Sequence, residues 1–293
     1  MNSTEQKVSE VTHELDEWLK KPNATDFYFN EPVAEVRKVL EEPKLLKSIL
    51  VDFMSLNTWY GYHFIYNALA GAKVNGDQTN FAGNAYYTAA IAAVFAQGYA
   101  GNPPKIQFTD MTFWLAACLH ARWYEESGRL IRAIDRELGT KFLKGGLNFS
   151  KAGWFIVQVA NKGFGLTIDT AKFNYPKDMG VYRNVLDNWD TADTEIVDKM
   201  VSTLCDYHLS QAYFNEDNSP EFSNLEEYVY VYEVLAWLSV RDRKGLRNPG
   251  NYTHPLMQLA VNKLPDAPLP FAKMELGETI LGRLKEEFPA AAL

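Results

Sequence analysis

From Phe81 to Gly101 the chain runs 21 residues without a charged side chain, and this stretch restricts the available folds more than any other. Its length is that of a membrane span. However, alanine rather than leucine dominates it, and Gly83, Asn84, Thr88, Gln97 and Gly98 interrupt it, a composition that favours a helix buried in protein over one in lipid. A helix is therefore expected at Asn84 to Tyr99, covered on most sides, with small side chains that let its neighbours approach closely. It is the expected centre of the N-terminal half.

Helical spacing dominates the remainder, and alternating runs of β-branched residues are few, so the expected fold class is all-α, a multi-helix bundle-like protein. Val8, Val11, Leu15, Trp18 and Leu19 mark a first helix, and Pro32 opens a second that runs to Leu40. The apolar pattern from Leu45 to Leu69 reads as a long helix that bends or breaks near Asn57 or Gly61, followed by a loop from Gly71 to Gln78. After Asn102-Pro103-Pro104, Thr109 or Asp110 can cap a helix that continues to Leu138, and a short one is expected at Trp154 to Asn161. Glycines and prolines between Lys162 and Tyr182 suggest a boundary, dividing the chain into packed helical regions at 1–175 and 176–293. Beyond it, Asp190 or Thr191 starts a further helix, and a last one spans Glu275 to Phe288.

The C-terminal half is organised around Leu225 to Met257. Tyr228, Val231, Tyr232, Leu235 and Leu238 share one helix face, with acids near the start, Arg241, Arg243 and Lys244 at the end, and Gly245 as the left-handed stop. His254-Pro255-Leu256-Met257 then returns two apolar side chains to the body, with His254 expected to cap a helix or dock.

Charge is unevenly spread. Residues 186 to 235 hold twelve acids against one base, Lys199, a net −11 within a chain whose total is −8. The segment reads either as a solvated face or as an electronegative surface for a basic partner, and it argues against nucleic-acid binding, which needs basic stripes. The residues assigned to that partner surface are Asp187, Asp190, Asp193, Glu195, Asp198, Glu216, Asp217, Glu221, Glu226 and Glu227.

Catalytic signatures are missing. GxSxG, Walker A, HExxH and GxGxxG patterns do not occur, and Glu10-Val11-Thr12-His13 is an isolated Glu-x-x-His where a di-metal bundle needs two. Asp187, Asp190 and Asp193 lack the adjoining Asp-Asp pair and second motif of metal-binding prenyl-diphosphate enzymes, so surface charge and capping explain them more simply. His63, His120 and His208 read as hydrogen-bonded core histidines. Cys118 and Cys205 read as free, buried thiols. No catalytic group, cofactor or metal site is expected, and neither a membrane nor a nucleic acid is an expected partner. The N-terminus carries acids and no apolar core, so the expected location is the cytoplasm.

Tyr232-Glu233-Val234-Leu235, Arg241, Arg243, Gly245-Leu246 and His254-Pro255-Leu256-Met257 resemble the C-terminal part of bacterial immunity proteins. These neutralise toxins delivered by type VI secretion or related contact-dependent systems, and include the PoNi-like group. The resemblance covers about 30 residues well and implies a cytoplasmic helical protein that blocks a toxin's active site without catalysis of its own. A nuclease with a basic cleft is the kind of toxin an acidic surface would suit. The alternatives are a helical enzyme with an aromatic pocket, or a helical adaptor.

Overall fold

The computed structural model describes residues 3–170, 173–213 and 220–293. Among them eleven α-helices carry the chain: α1 (Ser3–Leu19), α2 (Glu31–Glu41), α3 (Ile49–Leu69), α4 (Asn75–Gly98), α5 (Phe108–His120), α6 (Tyr124–Glu137), α7 (Lys151–Phe164), α8 (Val181–Asp187), α9 (Thr194–Gln211), α10 (Tyr232–Arg243) and α11 (Glu275–Glu287). A one-turn π-helix at Asp26–Asn30 leads into α2. The only sheet among the described residues pairs Ile106–Gln107 in parallel with Leu143–Lys144. The fold is all-α, as the periodicity requires.

Every residue of α4 from Phe81 to Ala96 is buried, and α3, α5, α6 and α11 pack around it. Small side chains make that packing tight: a Cβ on Gly83 would sit 2.7 Å from the Ala272 Cβ. The helix starts at Asn75, nine residues before the expected Asn84, so it takes in part of the expected loop. None of the described helices is long and apolar enough to cross a membrane.

A second buried helix completes the core. In α10 every residue from Tyr232 to Arg241 is buried, so it has no solvent face where the sequence suggested a single apolar stripe. It packs on α5 and α7, while α11 packs on α4, and a continuous core therefore joins elements on both sides of residues 175/176.

Several boundaries differ for identifiable reasons. α3 is unbroken: Asn57 donates from Nδ2 to Thr88 Oγ1 across 3.0 Å, and Gly61 makes room for the Phe81 ring. The helix expected to run to Leu138 stops at His120 because Arg122 adopts φ +60. There the Trp123 N–H donates to Cys118 O and the Arg122 N–H to Leu119 O, the bonding of a Schellman stop. α9 begins at Thr194, since Asp193 rather than Asp190 or Thr191 accepts from the Glu195 and Ile196 N–H groups. α10 starts later than expected because Asn262 binds the preceding backbone, accepting from the Val231 N–H and donating to Val229 O. It stops as expected, with Gly245 at φ +71.

Candidate partner-binding face

The acids assigned to the partner surface separate into an outer and an inner set. Asp187 ends α8, Asp190 lies in the connection to α9, Asp193 caps α9, Glu195 occupies its first turn and Asp198 follows in the second. The first four are exposed and Asp198 is half-buried. Beside them, Thr194, Glu195, Asp198 and Lys199 with the loop Pro249–Asn251 line a shallow concavity of about 370 Å³. Ile196, 40% exposed, adds an apolar contact to this acidic edge.

The segment Leu225 to Met257 holds that edge in place. Arg241 is fully buried and donates only to the chain itself: Nη1 to Trp189 O at 2.7 Å, Nη2 to Thr191 O at 2.9 Å and Arg247 O at 2.8 Å, and Nε to Asn248 Oδ1 at 3.0 Å. Trp237 Nε1 donates to the same Trp189 carbonyl, whose ring lies under Lys162 Nζ at 5.7 Å. Asp198 accepts from both the N–H and the hydroxyl of Thr253. Arg241, expected as a helix-end charge that suits the macrodipole, is therefore an internal clamp on the acidic connection. Its charge is spread over neutral carbonyls, which an arginine fork can satisfy without a carboxylate. Spacing alone did not mark Trp189, Trp237, Arg241 or Thr253 as positioning residues; Trp237, Arg241 and Thr253 share only their place in the segment Leu225 to Met257, and Trp189 lies outside it.

The inner set faces the body. Glu221 is half-buried and accepts from the Ala152 N–H at the start of α7 and from the Tyr207 hydroxyl at 2.9 Å. Glu227 is 7% exposed; its side chain closes a capping box with Asn224, and its carbonyl accepts from His208 Nε2 at 2.6 Å. His208 Nδ1 meets Glu233 Oε1 at 2.9 Å, with both side chains fully buried. Burial pushes the Glu226 carboxyl up to about 7 and that of Glu227 up to about 8, the latter aided by the Glu226 charge. Asp110, which adds to both shifts, is itself pushed up to about 6 by burial. Glu227 is thus removed from the expected contact surface, because its oxygens complete a turn that caps itself. Glu216 and Asp217, also assigned there, lie outside the described residues.

The remaining histidines mostly follow expectation. His120 is buried, with Nε2 at 2.9 Å from Lys263 O and Nδ1 at 2.9 Å from the Tyr230 hydroxyl, and burial lowers it to about 4, so it stays neutral. His254 caps the turn at Pro255–Gln258 by accepting from the Leu256 N–H, and Leu256 and Met257 are buried. His63 departs from it: half-buried against Trp59, its Nε2 has no hydrogen-bond partner among the described residues. Among those residues no group of three or more His, Cys, Asp or Glu is arranged to hold a metal. No family model, curated protein or solved structure matches the chain.

Proposed function

We propose that the chain is a cytoplasmic immunity protein that binds a secreted antibacterial toxin domain of a type VI or related contact-dependent system and occludes its active site. The observation that carries this reading is the exposed edge of Asp187, Asp190, Asp193 and Glu195, fixed from inside by Arg241 and Trp237 of the segment that resembles immunity proteins. Fixed charges on a rigid backbone steer a basic partner and lose little entropy on docking. The partner that suits the edge is a toxin with a basic substrate cleft, a nuclease being one such enzyme. Inhibition is stoichiometric and needs no cofactor.

The test is to produce the chain together with the toxin domain encoded beside it, measuring cell survival and the mass of the purified complex. Survival with an equimolar complex supports the reading; a toxic co-expression with no complex sinks it. Changing Asp187, Asp190 and Glu195 to Lys leaves the Asp193 cap intact and is expected to weaken the complex by about 100-fold or more at low salt. Unchanged affinity of that variant would remove the charged edge from the interface while leaving the immunity role standing.

A further inference from the structure

Three segments of this acidic chain carry lysines and no acid: residues 44–51, with Lys44 and Lys47; 99–109, with Lys105; and 138–151, with Lys141, Lys144 and Lys151. They carry no arginine either. The fold joins the three. Lys47 Nζ donates to Asn102 O at 2.5 Å and lies 5.2 Å from the centre of the Tyr99 ring, while the Tyr99 hydroxyl donates to Leu45 O at 3.4 Å. Ile106–Gln107 pairs in turn with Leu143–Lys144, and the Ile106 N–H donates to Phe142 O at 2.9 Å.

Like charges are crowded there. Lys105 above all, with Lys141, holds the Lys144 ammonium below its ordinary range. Lys151 reaches Asp178 at 4.0 Å, and the other five lysines have no ion-pair partner among the described residues. Acids border these segments: Glu41 and Glu42 come just before them, and Glu287 accepts from the Leu45 N–H at 3.3 Å. Asp52 and Asp110, which follow the first two, are each pushed up to about 6 by burial. Exposed carbon is found in the same places. Leu46 is 52% exposed, Val51 66% and Phe149 56%, and these are three of the five large apolar side chains exposed among the described residues. Phe149 stands in the turn that follows Gly145 and Gly146, at φ +60 and +75, and its N–H donates to Gly146 O.

From lysines without counter-charges and exposed carbon in the same joined segments, we propose that this part of the molecule rests on an anionic bilayer surface. A lysine ammonium is a point charge that suits the diffuse potential of acidic headgroups, whereas reading bases and gripping phosphates favour the arginine fork that these segments lack. Leu46 and Val51 are aliphatic: they can enter the headgroup boundary but cannot stack on bases. None of the described helices is long and apolar enough to span, and a peripheral contact needs no span. This surface requires nothing of the toxin-binding reading.

Co-sedimentation of the full chain with vesicles tests it, one set of phosphatidylcholine alone and one of equal parts phosphatidylcholine and phosphatidylglycerol. A DNA duplex and a concentration series of the protein alone are parallel arms. Binding to the acidic vesicles is expected, about 10-fold or more tighter than to phosphatidylcholine and fading as salt rises. Lys105→Gln, Lys141→Gln and Lys144→Gln together are expected to weaken it by about 100-fold. Phe149→Ser is expected to weaken it by about 5-fold with its salt dependence kept. All four positions are exposed, so the unfolding midpoints should match wild type, and Phe149→Ser decides the matter if the lysine variant fails to fold. Equal binding to both kinds of vesicle, no binding to either, or unchanged binding in the variant that folds overturns the proposal. So does capture of the DNA duplex, or pairing with a second copy of the chain, in place of the acidic vesicles.

Discussion

The acids around the start of α9 and those from Glu221 to Glu233 belong to one stretch of sequence and are of one chemical kind, yet the fold uses them in opposite ways. Asp187, Asp190, Asp193 and Glu195 stand in water, where a carboxylate keeps its charge at little cost. Glu227 and Glu233 are inside, where a carboxylate must be paired, hydrogen-bonded or protonated. Glu233 is paired with His208, and Glu227 is raised to about 8 while its oxygens close a turn. A net charge counted along the chain therefore overstates the field at the surface. The electrostatic face is the outer set, and the inner set ties α7, α9 and the approach to α10 together.

Removing a carboxylate from the inner set should cost folding, and the largest effect is expected at Glu233. Glu233→Ala strips His208 Nδ1 of its partner in a fully buried site and leaves a void, so a loss of about 3–5 kcal/mol is expected from denaturant unfolding. A loss under about 1 kcal/mol would mean that the inner set is not structural. Glu227→Gln should instead give a gain that depends on pH. In the unfolded chain this carboxyl ionises near 4.5, whereas in the folded protein it holds its proton to about 8. As pH rises through that window the folded state keeps a proton the unfolded chain has released, and wild-type stability falls. Glutamine cannot ionise and can keep an oxygen toward the Asn224 N–H. The variant should match wild type near about pH 4 and exceed it by about 1–3 kcal/mol near about pH 9. A difference that does not vary with pH would contradict the buried-acid account.

Asp193 lies between the two behaviours, exposed yet used as a cap. Asp193→Ala should cost about 1 kcal/mol, the usual value of a lost N-cap, and also remove one charge from the proposed partner face. Thermal unfolding and affinity for the proposed toxin partner, measured on the same sample, separate the contributions.

This comparison also marks what could be read in the chain beforehand. The uncharged run at Phe81–Gly101 announced a central helix because no water-facing helix tolerates sixteen consecutive buried residues, and Gly245 announced the end of α10 because its left-handed φ suits glycine. The acidic edge was legible as charge. Its support was not, since Arg241 at a helix end reads as a dipole partner until the carbonyls of Trp189 and Thr191, some 50 residues away, are brought to it. Likewise, which glutamates turn inward depends on Ala152, Tyr207 and His208, and no local pattern ties those residues to them. The stop at Arg122 is not legible in the sequence because glycine is the usual residue at a left-handed position.

The smallest effect on stability should come from Asp187, and there the absence of a cost is what matters. Its side chain is 61% exposed, and its nearest cation, Arg183 Nη1, is 4.0 Å away across solvent, a pair worth little. Asp187→Asn should leave the unfolding midpoint within about 0.5 kcal/mol of wild type, although it deletes the same formal charge as Glu233→Ala. If the outer set steers a basic toxin, the variant should associate about 2–3-fold more slowly at low salt, with the difference fading near about 0.5 M salt as screening shortens the reach of the field. Stopped-flow mixing with the toxin domain at several salt concentrations measures this directly. Equal association rates at every salt concentration, alongside unchanged stability, would make Asp187 a solvated surface residue and narrow the contact face to Asp190, Asp193, Glu195 and the concavity beside them.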